Sequence, residues 1–213
     1  MNILDNVKKV WFIGIGGSYL GTIAGMQLLV PPFAKTHGIG HPEIIFAGHH
    51  LSSHYYNHLI DIVEDPAEEI CICMVSKSGT TTEPKVIYAI LKQALMNRYG
   101  EKYNDHITII TDQDKGALQL EAESYHICCL EIPTNIGGRY SVLTAVGLFP
   151  LAVAGIDIKE IIRGARQSAT MFMEPSLADN DCYQYAATRY LQSKAGKRME
   201  IFEVYEGNLF YFT

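Results

Sequence analysis

The sequence predicts an α/β fold, a three-layer αβα sandwich with a mainly parallel five-stranded sheet. Three observations carry that expectation. Short apolar runs alternate with longer amphipathic segments along the chain, which is the β-α-β-α order of a sheet covered by helices on both faces. Runs such as VWFIGI and ICICMV read as buried strands. The loops richest in glycine and hydroxyls each follow such a run, where right-handed crossovers gather the edge at which open α/β sheets bind ligands.

In chain order, Val10–Ile15 reads as the first strand and Ser18–Val30 as the helix after it. Glu43–Ala47 is the second strand, followed by a helix over Ser52–Val63. Ile70–Val75 is the third strand. Cys71 and Cys73 alternate within it on one buried face. A long helix runs from about Thr82 to Arg98. Ile107–Thr111 is the fourth strand, with a short helix near Gly116–Glu123, and Tyr125–Ile132 contains the fifth. Helices follow near Ser141–Ala154, Ile158–Phe172 and Asp181–Ala195, and Met199–Val204 is open to a last strand. Repeats, linkers and low-complexity runs do not interrupt this order.

Composition narrows the function classes. Apolar residues make up 48% of the 213, enough to bury a core. Lys plus Arg is 17 against 23 Asp plus Glu, a net charge of −6. An acidic chain disfavours nucleic acid, which needs a cationic surface. An anionic ligand must therefore be held by local donors. The five cysteines, Cys71, Cys73, Cys128, Cys129 and Cys182, include no CxxC pair. Their odd number argues against a disulfide framework and for a reduced, cytoplasmic setting. The N-terminus lacks a signal-peptide stretch, and no run is long enough to span a membrane.

Three loops carry chemistry. Gly14-Ile15-Gly16-Gly17-Ser18, with Gly21 a turn later, ends the first strand. Glycines there admit a ligand close to the backbone, and the next helix offers unpaired N–H groups. The same residues also read as a tight turn with Ser18 as a helix cap. A dinucleotide site would want an acidic residue about 20 positions on. Leu28 through Pro42 contains none, which disfavours NAD.

Ser76-Lys77-Ser78-Gly79-Thr80-Thr81-Thr82 ends the third strand with five hydroxyls, a glycine and a lysine ahead of a helix. Hydroxyls and free N–H groups suit the acceptor oxygens of a phosphate, and the helix terminus supplies part of the charge. Thr80-x-x-Glu83 also reads as a capping box, with Pro84 in the first turn. A cap uses one or two of the hydroxyls, not five.

Gly137-Gly138-Arg139-Tyr140-Ser141 follows the fifth strand and brings a guanidinium to the same edge. Arginine keeps its charge and stabilises oxyanions. A flexible turn with a surface arginine is the plainer reading. His50, His54 and His58 recur at every fourth residue, but no HExxH pattern accompanies them, so a solvated helix face is favoured over metal. Asp112 and Asp114 are expected to cap the next helix.

The stretches IGIGGSYLG, SKSGTTTEP and GGRYSVLTAVGLFPLAVAGIDI stand here in the order and spacing of one family. Together they resemble the bacterial-type glucose-6-phosphate isomerases, and a weaker match over Asp181–Tyr205 extends the resemblance to nearly the whole chain. It implies a sugar-isomerase (SIS) domain of flavodoxin-like topology, a single domain over 1–213 with a helical extension from about 156. By that resemblance Ser76, Ser78 and Thr81 match positions that hold the sugar phosphate, with Lys77 and Thr80 in the same loop. Gly17 and Ser18 match the loop against the sugar, and Arg139 matches the arginine that stabilises an enediolate. The implied reaction is aldose–ketose isomerisation between glucose 6-phosphate and fructose 6-phosphate, with no metal and no organic cofactor.

The family continues past the segment matching Tyr205–Phe212 into a GESEGK-like motif with the glutamate base. A second SIS domain follows, with a ring-opening histidine and a late lysine. None of these stands in this sequence. The expectation is a binding domain with negligible turnover of its own, since general-base catalysis supplies roughly 10²–10⁴-fold. Glu83, the nearest local carboxylate, makes a poor substitute base if it caps a helix. A stand-alone phosphosugar-binding module of regulatory type is the alternative. The aromatic tail Phe202–Phe212 reads as an association surface, for a second SIS domain or for another copy in a homo-oligomer.

Overall fold

The computed structural model describes residues 7–31, 41–114 and 116–213. They divide into two compact units, Met1–Ile156 and Asp157–Thr213.

The first unit is built on five strands: β1 (Lys9–Ile13), β2 (Glu43–Ala47), β3 (Ile70–Val75), β4 (Ile107–Asp112) and β5 (Cys128–Ile132). They lie in the order β2-β1-β3-β4-β5, and every pairing is parallel. That is the flavodoxin-like order, whose switch point lies between β1 and β3. Continuous apolar sequence forms these strands because both faces are covered. Trp11, Ile13, Ile70, Ile72, Met74 and Ile109 face one core with residues of α2 (Ser53–Glu64), α3 (Thr82–Tyr99) and α4 (Ala117–Tyr125). Val10, Phe12, Cys71, Cys73, Val75 and Ile110 face the other, with Val146 and Val153 of α5 (Ala145–Val153). Burial pushes the Cys71 thiol up to about 12 and holds the Cys73 thiol well above the usual thiol value, so both pack as small apolar groups.

Helix α1 (Leu20–Leu29) packs on the segment around α5 through small residues. A Cβ added at Gly21 would meet the Val142 side chain at 2.6 Å, and one at Gly25 would meet Leu151 at 2.9 Å. The spacing of four puts both on one helix face.

Local signals behave as their chemistry dictates at several ends. The Ser52 side chain accepts from the Tyr55 amide and starts α2. Arg98, at the end of α3, donates to the carbonyls of Val63 and Glu68 and so holds the turn after α2. Three expectations are corrected. Ser18 is not a helix cap: it lies in a 3₁₀ turn, Gly16–Ser18, and Tyr19 precedes α1. Thr80 and Glu83 form no capping box, because α3 starts one residue later, after Thr81, and the Thr80 hydroxyl is spent on Ser78. Asp112 and Asp114 do not cap α4, which is preceded by Gly116.

The second unit holds α6 (Ile158–Phe172), α7 (Asp181–Lys194) and a 3₁₀ segment, Gly207–Phe212. Asn180 joins its two helices. Its buried side chain donates to the Phe172 and Glu174 carbonyls and accepts from the Tyr183 amide, closing α6 and capping α7. Met199–Val204 forms no strand. A lone strand leaves its backbone groups unpaired, and this unit offers no other strand to satisfy them. Phe202, Tyr205, Phe210 and Phe212 are exposed. Among the described residues no helix is long and apolar enough to cross a membrane.

Candidate functional site

The carboxyl ends of β1, β3 and β4 open into one cleft of about 500 Å³, within the range typical of small-molecule sites. It is lined by parts of all three loops singled out from the sequence. Gly17 and Ser18 come from the first, Ser76, Lys77, Ser78 and Thr81 from the second, and Gly138 and Arg139 from the third. Thr80, grouped with them on sequence grounds, is exposed and outside the lining.

The Ser76–Thr81 loop is ordered by its own hydroxyls. Ser76 continues the β3–β4 ladder through its amide to the Ile110 carbonyl, and its carbonyl accepts from the buried Thr111 hydroxyl at 2.9 Å. Its Oγ accepts from the Gly79 amide at 3.1 Å. Gly79 sits at φ +66°, a left-handed turn that a Cβ would strain. Ser78 Oγ accepts from both the amide and the hydroxyl of Thr80, which leaves its own proton free to donate. Thr81 precedes α3 without spending its side chain on a cap. The first-turn amides of α3 have no intrahelical acceptor. Pro84, buried in that first turn, carries no amide proton to satisfy.

A close approach joins the first loop to the third. A Cβ on Gly17 would lie 2.2 Å from the Gly138 oxygen and 2.8 Å from its carbonyl carbon. Only glycine lets these two backbones touch. The third loop is closed by its own bonds, Tyr140 N–H to the Gly137 carbonyl at 2.9 Å and Ser141 Oγ to the Gly138 carbonyl at 2.6 Å. Arg139 stands exposed on it, with no ion pair among the described residues.

Two features escaped the sequence. Lys77 does not reach freely into the cleft. Its ammonium donates to the carbonyls of Thr134 at 2.8 Å and Ile136 at 2.7 Å, and stands 3.8 Å from an Asp112 carboxylate oxygen. Asp112 lines the cleft as well. An acid at the end of β4, on the same sheet edge as a lysine, was the available signal. With Lys77 so engaged, Arg139 is the unpaired cation of the lining. The arrangement can hold a tetrahedral anion on hydroxyls and a helix terminus while presenting a guanidinium a short distance away.

The histidines do not form a constellation. His50 lies before α2, where its Nδ1 accepts from the Ser52 amide, and His54 meets His58 edge-on within the helix. No group of three or more His, Cys, Asp or Glu side chains among the described residues is placed to hold a metal. His49 stacks on Tyr19 beside the first loop, with ring centroids 5.2 Å apart. Burial, and then neighbouring His50, hold it below the usual imidazole range, so it packs as a neutral ring.

Comparison with known proteins bears on the family and the fold. The family model described as phosphoglucose isomerase matches residues 2–211. A glucose-6-phosphate isomerase of Acetivibrio thermocellus is 43% identical over 208 residues, covering 94% of this chain and 45% of the relative. One from Staphylococcus saprophyticus is 43% identical over 212 residues, covering 99% and 47%. The chain thus spans about half the length of the curated relatives it matches. Among solved structures, a hypothetical protein of Thermus thermophilus superposes with a TM-score of 0.84 at 28% identity, over 97% of this chain and 46% of that one. A glucose-6-phosphate isomerase of Chlamydia trachomatis shares the fold, with a TM-score of 0.78 at 24% identity over 100% of this chain and 39% of its own. Strand order, the three loops at one sheet edge and a family match over nearly every residue lead to one conclusion: the chain belongs to the phosphoglucose isomerase family.

Proposed function

We propose that the cleft binds a hexose 6-phosphate, and that Met1–Ile156 is the phosphosugar-binding domain of a glucose-6-phosphate isomerase, with the helices of Asp157–Thr213 as its extension. The observation that supports this most is the convergence of Ser76, Ser78 and Thr81, the N-terminus of α3 and Arg139 on one cleft. Phosphate oxygens accept from Ser78, from Thr81 and from the first-turn amides of α3. The sugar lies toward Gly17 and Ser18, and the Arg139 guanidinium faces the oxygens on C1 and C2. Isomerisation moves a proton from C2 to C1 through a cis-enediolate, and a fixed cation lowers the energy of that anion.

The proton itself needs a base. Asp112, the carboxylate of the lining, is bound to Lys77 and to the Asp114 amide at the phosphate end. Glu83 is not among the lining residues. We therefore infer that these residues bind and polarise the sugar, and that the base comes from outside them. The cytoplasm is the proposed setting, where thiols such as the five free cysteines stay reduced.

Calorimetric titration with fructose 6-phosphate, alongside a coupled isomerase assay, tests the reading. Binding without measurable turnover is expected. Thr81→Val should weaken binding roughly tenfold to a hundredfold, the worth of one hydrogen bond to a charged group. Absence of binding, or equal affinity in the variant, would refute the assigned cleft. A regulatory phosphosugar-binding module shares the binding step. It separates from the isomerase reading if turnover fails to return when a polypeptide carrying the family's glutamate and histidine is added.

A further inference from the structure

The geometry points to Lys77 as a positioning residue that sets Arg139 over the cleft, a role that rests on the phosphosugar reading above. Its sequence neighbours make it look like a phosphate ligand. Its contacts are different. The ammonium leaves the Ser76–Thr81 loop and donates to two carbonyls of the chain between β5 and Arg139, those of Thr134 and Ile136, at 2.8 and 2.7 Å. Asp112 stands 3.8 Å away on the third side. An ammonium has three protons, so two are committed and the third faces a carboxylate.

What Lys77 holds is a segment with little else to fix it. Ile136 is followed by Gly137 and Gly138, whose backbones carry no Cβ to restrict them. Three local bonds, Ile136 N–H to the Pro133 carbonyl, Tyr140 N–H to the Gly137 carbonyl and Ser141 Oγ to the Gly138 carbonyl, close the segment on itself without tying it to the β3 loop. Anchorage comes from two sides. Gly17 packs against Gly138, and Lys77 ties Thr134 and Ile136 to the β3 loop. The loop that receives phosphate and the residue that meets the sugar head are thereby held at a fixed separation. Asp112 keeps the lysine turned toward this task and offsets its charge, so phosphate affinity falls to hydroxyls and the α3 terminus.

Two probes separate positioning from direct phosphate contact. Glucitol 6-phosphate carries an uncharged polyol chain on its phosphate and needs only the phosphate end. Arabinonate 5-phosphate carries a carboxylate where the enediolate oxygens form, and needs Arg139 as well. Wild type should prefer the aldonate. Lys77→Met should cut that preference roughly tenfold, a coupling of ordinary size for linked residues, while glucitol 6-phosphate affinity changes less than about threefold. In an Arg139→Ala background Lys77→Met should no longer alter the preference. Equal weakening of both ligands would make Lys77 a phosphate contact and overturn the proposal. Amide exchange gives a readout without ligand. Lys77→Met should speed exchange at Ile136 and Tyr140 about tenfold or more and leave β3 unchanged. Unaltered exchange there also overturns the proposal. If wild type binds neither probe, the phosphosugar reading fails, and exchange alone decides whether the tether exists.

Discussion

Gly17→Ala should leave a folded chain that binds fructose 6-phosphate at least tenfold more weakly. The added Cβ would sit 2.2 Å from the Gly138 oxygen, and both neighbours it meets first are backbone atoms. No rotamer relieves such a contact. The Gly138–Arg139 turn must retreat by about 1 Å to reach an ordinary separation, and displacements of that size at a site can cost roughly a hundredfold. The same overpacking should lower stability by about 1–3 kcal/mol, a fall of about 2–12 °C in Tm for a chain of this size. Circular dichroism should stay native, because the turn lies outside the two cores. Titration calorimetry and a melting curve measure both effects. Unchanged affinity would mean that the first and third loops do not act together.

Trp11→Ala should be the most destabilising of these substitutions. Trp11 is fully buried at the centre of β1, between β2 and β3, and packs in the core shared with α2 and α3. Emptying that volume should cost about 3–5 kcal/mol, a large part of the roughly 5–15 kcal/mol available to a domain. Trp11→Phe should behave differently. The indole N–H has no hydrogen-bond partner among the described residues. Its removal relieves a desolvated donor worth about 1–3 kcal/mol, which offsets much of the smaller cavity. Urea unfolding followed by circular dichroism should therefore rank wild type close to Trp11→Phe and far above Trp11→Ala. A phenylalanine variant as unstable as the alanine one would show that shape, not the orphan donor, governs the position.

Much of the fold was legible because burial on both faces writes a continuous apolar run. Ile70–Val75 reads the same in sequence and structure, and β2 likewise. Helix limits were legible where a short polar side chain performs the cap, as at Ser52. The start of α3 at Thr82 was legible too, but its cap was misread where hydroxyls had other work. Thr80 was readable as a cap, yet its hydroxyl serves Ser78, and α3 begins beyond it. Met199–Val204 has strand-like residues, but a strand exists only beside another, and sequence periodicity does not say whether one is near. The cleft's loops were legible as glycine and hydroxyl clusters after strands. Lys77 reaching Thr134 and Ile136, and Gly17 lying against Gly138, were not. Both join residues far apart in the chain, and no local pattern records such a contact.

The strand order also sets a timetable. Thr108 of β4 meets Cys128 of β5 after a short excursion of chain, whereas Lys9 of β1 meets Ile70 of β3 only after β2 and α2 have intervened. Closing a loop about three times longer costs about 1 kcal/mol more in chain entropy. The seam between β1 and β3 is thus the latest to knit, and it is the seam on which the cleft opens. Pulse labelling during refolding should find amides at the β4–β5 pairing protected before those of β1. A ligand seated across β1 and β3 then acts as a clasp on the last closure, slowing the opening of the finished chain more than it hastens its assembly.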